Sequence, residues 1–228
     1  MRRWLNVVLL FPLLATPVVA QEGEMQDMVM SGPHITLTPM RPLRSGDQAR
    51  ADSIVQIARA AAEKYRDVAV AEADGFKRFA PMVKRQKVYH YTNRVAGLKA
   101  RFTFDPAAPT SLLYRDGPDG KLELIGVMYT APASASLEDL DQRIPLSIAR
   151  WHQHTNLCLP PVSSDMEAAM SGRHPQFGPR GSITTEEACQ AAHGHWKTRM
   201  FNWMVHVNVF ASDPAEVWHD DHGGMRHH

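Results

Sequence analysis

Between residues 149 and 161 the chain reads ARWHQHTNLCLPP, with His152 and His154 one residue apart and Asn156 and Cys158 continuing the alternation. In an extended strand successive side chains point to opposite faces, so these four would share one face. Residues two apart on a strand have Cα atoms about 6.5–7 Å apart, and two imidazoles can converge on one ion from that spacing. In a helix the two rings would diverge by about 200° and no such site would exist. Pro145 before the segment and Pro160-Pro161 after it favour extended backbone.

Two further histidines fit the same logic. In FNWMVHVNVF (residues 201–210), Trp203, Val205, Val207 and Val209 form an apolar face, which leaves Asn202, Met204, His206 and Asn208 opposite. His90 sits between Tyr89 and Tyr91 in KVYHY. Neutral imidazoles from separate strands suit zinc or copper. The expectation is therefore that His152, His154 and His206 meet in one coordination sphere, nitrogens roughly 3–4 Å apart, with His90 as the fourth candidate ligand. A polar pocket of hydrogen-bonded histidines, or a site for another ligand, fits the same residues.

Other chemistry finds less support. His-Glu-x-x-His, Gly-x-Ser-x-Gly and a glycine-rich phosphate loop are missing from the sequence. Leu-Cys-Leu-Pro-Pro-Val (157–162) lacks the glutamate a cupin-type site would place after its His-x-His pair. Glu123, Glu138, Asp139 and Asp141 are general-base candidates, with nothing to single one out. His193-x-His195 is split by Gly194 and reads as a surface turn. His219, His222, His227 and His228 form a polar tail suited to loose metal scavenging, and Met25, Met28 and Met30 could take Cu(I).

The compartment is legible at the start of the chain. Arg2 and Arg3 precede an apolar run from Trp4 to Leu14, and Val18-Val19-Ala20 supplies small residues for cleavage, the pattern of a secretory signal over residues 1–20. Without Arg2 and Arg3 the chain carries 23 basic against 24 acidic side chains, a balance that gives no electrostatic case for nucleic acid or anionic lipid. No later stretch is apolar over the ~18 residues a spanning helix needs, so no stable membrane insertion is expected after cleavage. In a periplasmic or secreted setting disulfides persist, and Cys158 and Cys189 are the only two cysteines. Their pairing would stabilise the fold by roughly 3–4 kcal/mol and remove Cys158 as a ligand.

The elements that must position the histidines follow from periodicity. Residues 21–46 read as an extended arm, 47–212 as a single domain and 213–228 as a flexible histidine-rich tail. From Asp47 an apolar stripe (Ala51, Ile54, Val55, Ala58, Ala61, Ala62, Tyr65, Val68) predicts one long helix, bent near Asp67 and ended by Gly75. KVYHY (87–91) and, weakly, ARFTF (100–104) alternate as strands. Residues 110–132 form a hairpin about Asp116-Gly117-Pro118-Asp119-Gly120. A strand over SIARWHQHTNLCL, a loop over 162–183, a short helix capped by Thr184 and a last strand over 201–210 complete the order. The fold class is α+β: a long N-terminal helix on a mainly antiparallel twisted sheet, with partial closure into a barrel as an alternative.

KYRDVAVAEADGF (64–76), YHYTN (89–93), FDPAAPTSLLYRD (104–116), LIGVMYTAP (124–132) and WMVHVNVF (203–210) together resemble the blocks of a widespread group of secreted bacterial proteins. In that group a helix ends in Ala-Asp-Gly-Tyr/Phe, followed by a His-Tyr-x-Asn strand, an Asp-Pro-x-x-Pro-x-x-Leu-Leu-Tyr hairpin and a Trp-x-x-His-Val strand. The resemblance implies no activity. His90 and His206 fall in matching blocks, whereas the Met-Gly that often precedes the first histidine is missing and the Trp-His-x-His strand is added. The functional expectation is an exported Cu- or Zn-binding protein for storage, delivery or sensing. A metal-dependent enzyme on the same histidines and a metal-free envelope module are the alternatives.

Overall fold

The computed structural model describes residues 29–30, 32–162, 165–170 and 173–218. The expected signal segment and the tail histidines His219, His222, His227 and His228 lie outside the described residues, as do Met25 and Met28.

The strands are β1 (Val29–Met30), β2 (Ile35–Leu37), β3 (Lys77–Arg78), β4 (Tyr89–Thr92), β5 (Ser111–Asp116), β6 (Leu122–Ala131), β7 (His152–Leu159) and β8 (His195–Val207). They form one sheet in the order β1-β2-β7-β8-β6-β5-β4-β3, every neighbouring pair antiparallel. The sheet is open, since its two-residue outer strands do not pair with each other, and the barrel alternative is not realised. The expected α+β class with an antiparallel sheet is the one observed.

The long helical stripe is broken into three pieces. Helix α1 (Asp47–Ala62) buries Ala51, Ile54, Ala58 and Ala62, a 3-10 turn spans Glu63–Arg66, and α2 (Val68–Ala73) follows. The break falls at Asp67, whose extended backbone (φ −90°, ψ 116°) lets its carboxylate accept from the Ala69 N–H and cap α2. A side chain that can bond its own following backbone competes with helix continuation, which is why the periodicity persists while the helix does not. Gly75, at φ 88°, ends the region as expected.

The short helices differ more from expectation. ARFTF is no strand: it follows α3 (Arg94–Lys99), which Asn93 starts by accepting from the Val95 and Ala96 N–H groups. Helix α4 (Leu137–Arg143) carries a reciprocal capping box between Ser136 and Asp139. That Ser-x-x-Asp signal was present in the sequence. Residues 162–183 contain α5 (Met166–Met170), and α6 (Glu186–Ala191) is capped by Thr185 rather than Thr184. The β7 strand begins only at His152, because residues 145–149 form a turn.

The arm and the start of the tail both rejoin the body. Ile35, Thr36 and Leu37 pair with His154, Gln153 and His152. Arg41 then bonds Glu138 (2.9 Å) and Asp141 (3.0 Å) on α4. Asp141, itself buried, also accepts from the Leu146 N–H. At the other end Asn208 N–H donates to Val217, and Val217 and Trp218 pack on the core.

The main core lies between the helices and one face of the sheet. It unites Ala58, Tyr65, Tyr89, Tyr91, Leu112, Tyr114, Val127, Tyr129, Leu140, Trp151, Trp203, Val205 and Val207. Burial pushes the Tyr114 and Tyr129 phenols well up, and each buried hydroxyl finds an acceptor, Tyr65 and Pro106 carbonyls respectively, both at 2.6 Å. Alternation then sends the neighbours of these residues to the other face. Trp203 and Val205 face the core, while Met204 belongs to a separate cluster with Leu113 and Met128.

Trp203→Ala should therefore cost roughly 3–5 kcal/mol in urea unfolding. A loss of a few tenths would place Trp203 outside the core. Gly126→Ala should also destabilise, because a Cβ at Gly126 would collide with the Val207 carbonyl of the adjoining strand.

Candidate metal centre

The face opposite the main core carries the four candidate histidines. His206 pairs with Met128 of β6, and Met128 pairs with Ser111 of β5. His90, on β4, pairs with Leu113 of β5. On the other side of β8, His152 pairs with Met204 and with Leu37, and His154 with Met200 and Ile35.

Strands β4 and β8 are three intervals apart, about 14 Å on a flat sheet. Yet the Nε2 atoms of His90 and His206 are 3.3 Å apart. The sheet must therefore coil strongly, so that its histidine face is concave and β4 leans over β8. Gly126, in the same cross-strand row as Leu113 and His90, has no side chain and so allows the close backbone approach noted above.

The rings form a row. His90 and His206 have centroids 5.2 Å apart, His206 and His152 5.0 Å, and His152 and His154 5.7 Å. His152, His154 and His206 are all buried. Among the described residues, no group of three or more His, Cys, Asp or Glu side chains that could hold a metal ion is found. His206 thus lies against both His152 and His90, the residue expected as the fourth ligand.

A register shift explains where His154 goes. Between His152 and His154, two residues along β7, the partner on β8 moves four residues from Met204 to Met200. Phe201 lies in this bulge at φ 70°, and its ring stands 6.0 Å from His154 and 5.5 Å from Phe79. The bulge draws His154 toward an aromatic edge, at the end of the row furthest from His90. Alternation keeps His154 beside His152, but the register shift changes what faces it across β8.

Cys158 is disulfide-bonded to Cys189, as expected, and so is no ligand. The bridge sits in its own small core with Phe177 and Ile183. It is backed by Gly194, where a Cβ would meet the Leu159 carbonyl at 2.8 Å and the Cys189 sulfur at 2.9 Å. The turn in His193-Gly194-His195 is made by His193, at φ 54°, and both histidines are exposed.

The four candidate bases all have structural work. Glu123 pairs with Arg115, Glu138 and Asp141 hold Arg41, and Asp139 caps its own helix.

One histidine escaped the sequence reading. His34 is buried, with Nδ1 2.8 Å from the Asn156 carbonyl oxygen and Nε2 2.7 Å from that of Gly181. Carbonyls only accept, so a neutral ring donates to one of them and a doubly protonated ring to both. Its position beside a Pro in an apparently irregular arm carried no signal for this role.

No protein-family model, curated protein or solved structure gives a match to this chain. Among the described residues no helix is long and apolar enough to cross a membrane. The disulfide is compatible with an extracytoplasmic setting.

The non-reduced protein should have a mass two hydrogens below that of the reduced chain. A Cys158→Ala/Cys189→Ala variant should lose roughly 3–4 kcal/mol of stability for a closed loop of this length. Equal masses before and after reduction would show the bridge unformed.

Proposed function

We propose that this is an exported protein that binds a transition-metal ion through the imidazoles of its concave sheet face, for storage, delivery or sensing. One observation carries the reading: the 3.3 Å between the Nε2 atoms of His90 and His206. Two nitrogens each bonded at about 2.0–2.1 Å to a tetrahedral ion stand about 3.3–3.4 Å apart. The pair is thus spaced as two corners of such a site, with His152 the next ring in the row. Export rests on the secretory pattern of residues 1–20, with which the disulfide agrees.

A metal-free reading draws on the same distance, which is also that of a hydrogen bond between one protonated and one unprotonated ring nitrogen. In that case the row is a satisfied polar face and the protein a ligand- or partner-binding module of the envelope.

Titration calorimetry with Zn(II) and Cu(II) on protein whose four tail histidines (219, 222, 227 and 228) are replaced by glutamine separates the two. One ion should bind per chain, and His206→Gln should weaken it at least about tenfold, the loss of one good ligand interaction. Imidazole must be unprotonated to coordinate, so affinity should fall as the pH is lowered and protons compete with the metal. If the parent binds metal and the tail-substituted protein does not, the affinity belongs to the tail and the metal-free reading holds.

A further inference from the structure

The rows that carry the imidazoles also carry thioethers. Met128 lies directly opposite His206, and Met204 directly opposite His152. Directly opposed residues of an antiparallel pair share a face, with Cβ atoms about 4.5–5.5 Å apart. Met204 is also two residues from His206 on β8, again on the same face. Both methionines are buried, and both cluster with Leu113, the cross-strand partner of His90. Each of two buried imidazoles therefore has a thioether as a cross-strand neighbour.

We infer that the metal this face selects is Cu(I), held by His90 and His206 through nitrogen and by Met128 through sulfur. This rests on the metal-binding reading above. Thioether sulfur is a soft, uncharged donor that suits Cu(I), whereas zinc sites are built from imidazole, thiolate and carboxylate. Charge leads to the same ion. The rows Thr92–Ser111–Met128–His206 and Thr130–Met204–His152–Leu37 contain no carboxylate, and both cysteines are bonded to each other. Desolvation cost rises with the square of charge, so a divalent ion among neutral ligands costs about four times as much to bury as a monovalent one. His152 and Met204 form a second imidazole–thioether pair beside the first, a position from which an ion could be passed along the row.

The test is anaerobic Cu(I) titration against a chromophoric Cu(I) chelator, paired with Zn(II) titration against a zinc chelator, on the tail-substituted protein. Met128→Leu keeps volume and packing, and the exposed Met82→Leu serves as control. Met128→Leu should weaken Cu(I) at least tenfold, leave any Zn(II) affinity within about twofold and leave the melting temperature near that of the parent. Met82→Leu should change nothing. X-ray absorption on the Cu(I)-loaded parent should show a sulfur neighbour at bonding distance alongside nitrogens, which tests the ligand set even if the variant folds poorly. Cu(I) affinity lost in His206→Gln but unchanged in Met128→Leu, or a copper spectrum with nitrogen neighbours only, overturns the thioether assignment and leaves the metal reading standing. Failure to bind Cu(I), Cu(II) or Zn(II) at all removes both.

Discussion

The contact between His90 and His206 depends on the coiling of the sheet, and so does most of what is distinctive in this fold. Strands separated by two others touch through their side chains only if the sheet bends toward that face. The bend buries a surface that would otherwise be the solvated side of an antiparallel sheet. With the helices and the tyrosine- and tryptophan-rich core on one face, and the hollow on the other, residues 111–114 of β5, 126–129 of β6 and 203–207 of β8 are withdrawn from water on both faces. Leu113, Met128 and Met204 line the hollow with apolar surface, and His206, His152 and Ser111 place polar atoms in it.

Polar groups in such a place must be bonded or coordinated, because burial without a partner costs about 1–3 kcal/mol each. The structure pairs such groups across strands, as with His90 and His206, and Thr92 and Ser111 at 2.8 Å. A row of imidazoles is an uncommon way to fill the inside of a bent sheet when leucine and valine would do. This is the physical reason for looking to coordination chemistry there, rather than at exposed histidines such as His193 and His195.

Around this hollow the chain is tied down at its periphery. The segment before α1 is bonded to α4 through Arg41, Glu138 and Asp141. The region between β7 and β8 is held by the Cys158–Cys189 bridge, and His34 spans from the arm to Asn156 and Gly181. These links join parts of the chain that are distant in sequence, and they fix β2 and β7, hence His152 and His154, relative to the rest.

Composition and local pattern were enough for the antiparallel sheet, the 110–132 hairpin, the disulfide and the opposite faces of Trp203 and His206. Each depends on turn chemistry, on period-two alternation or on there being one partner to choose. The division of the long helix at Asp67 and the N-caps of the short helices were local too, though weaker, because a side-chain bond to nearby backbone competes with propensity by only about 1 kcal/mol. What alternation could not reveal is how far the sheet coils, where β7 and β8 lose register, or which ring stands next to His206. Coil and bulge depend on contacts between parts of the chain that are distant in sequence. They brought His90 across three strand intervals and turned His154 toward Phe201. The residue types of the site were thus legible in the sequence, but their order in space was decided by the tertiary structure, since alternation assigns a side chain to a face and only curvature assigns it a neighbour.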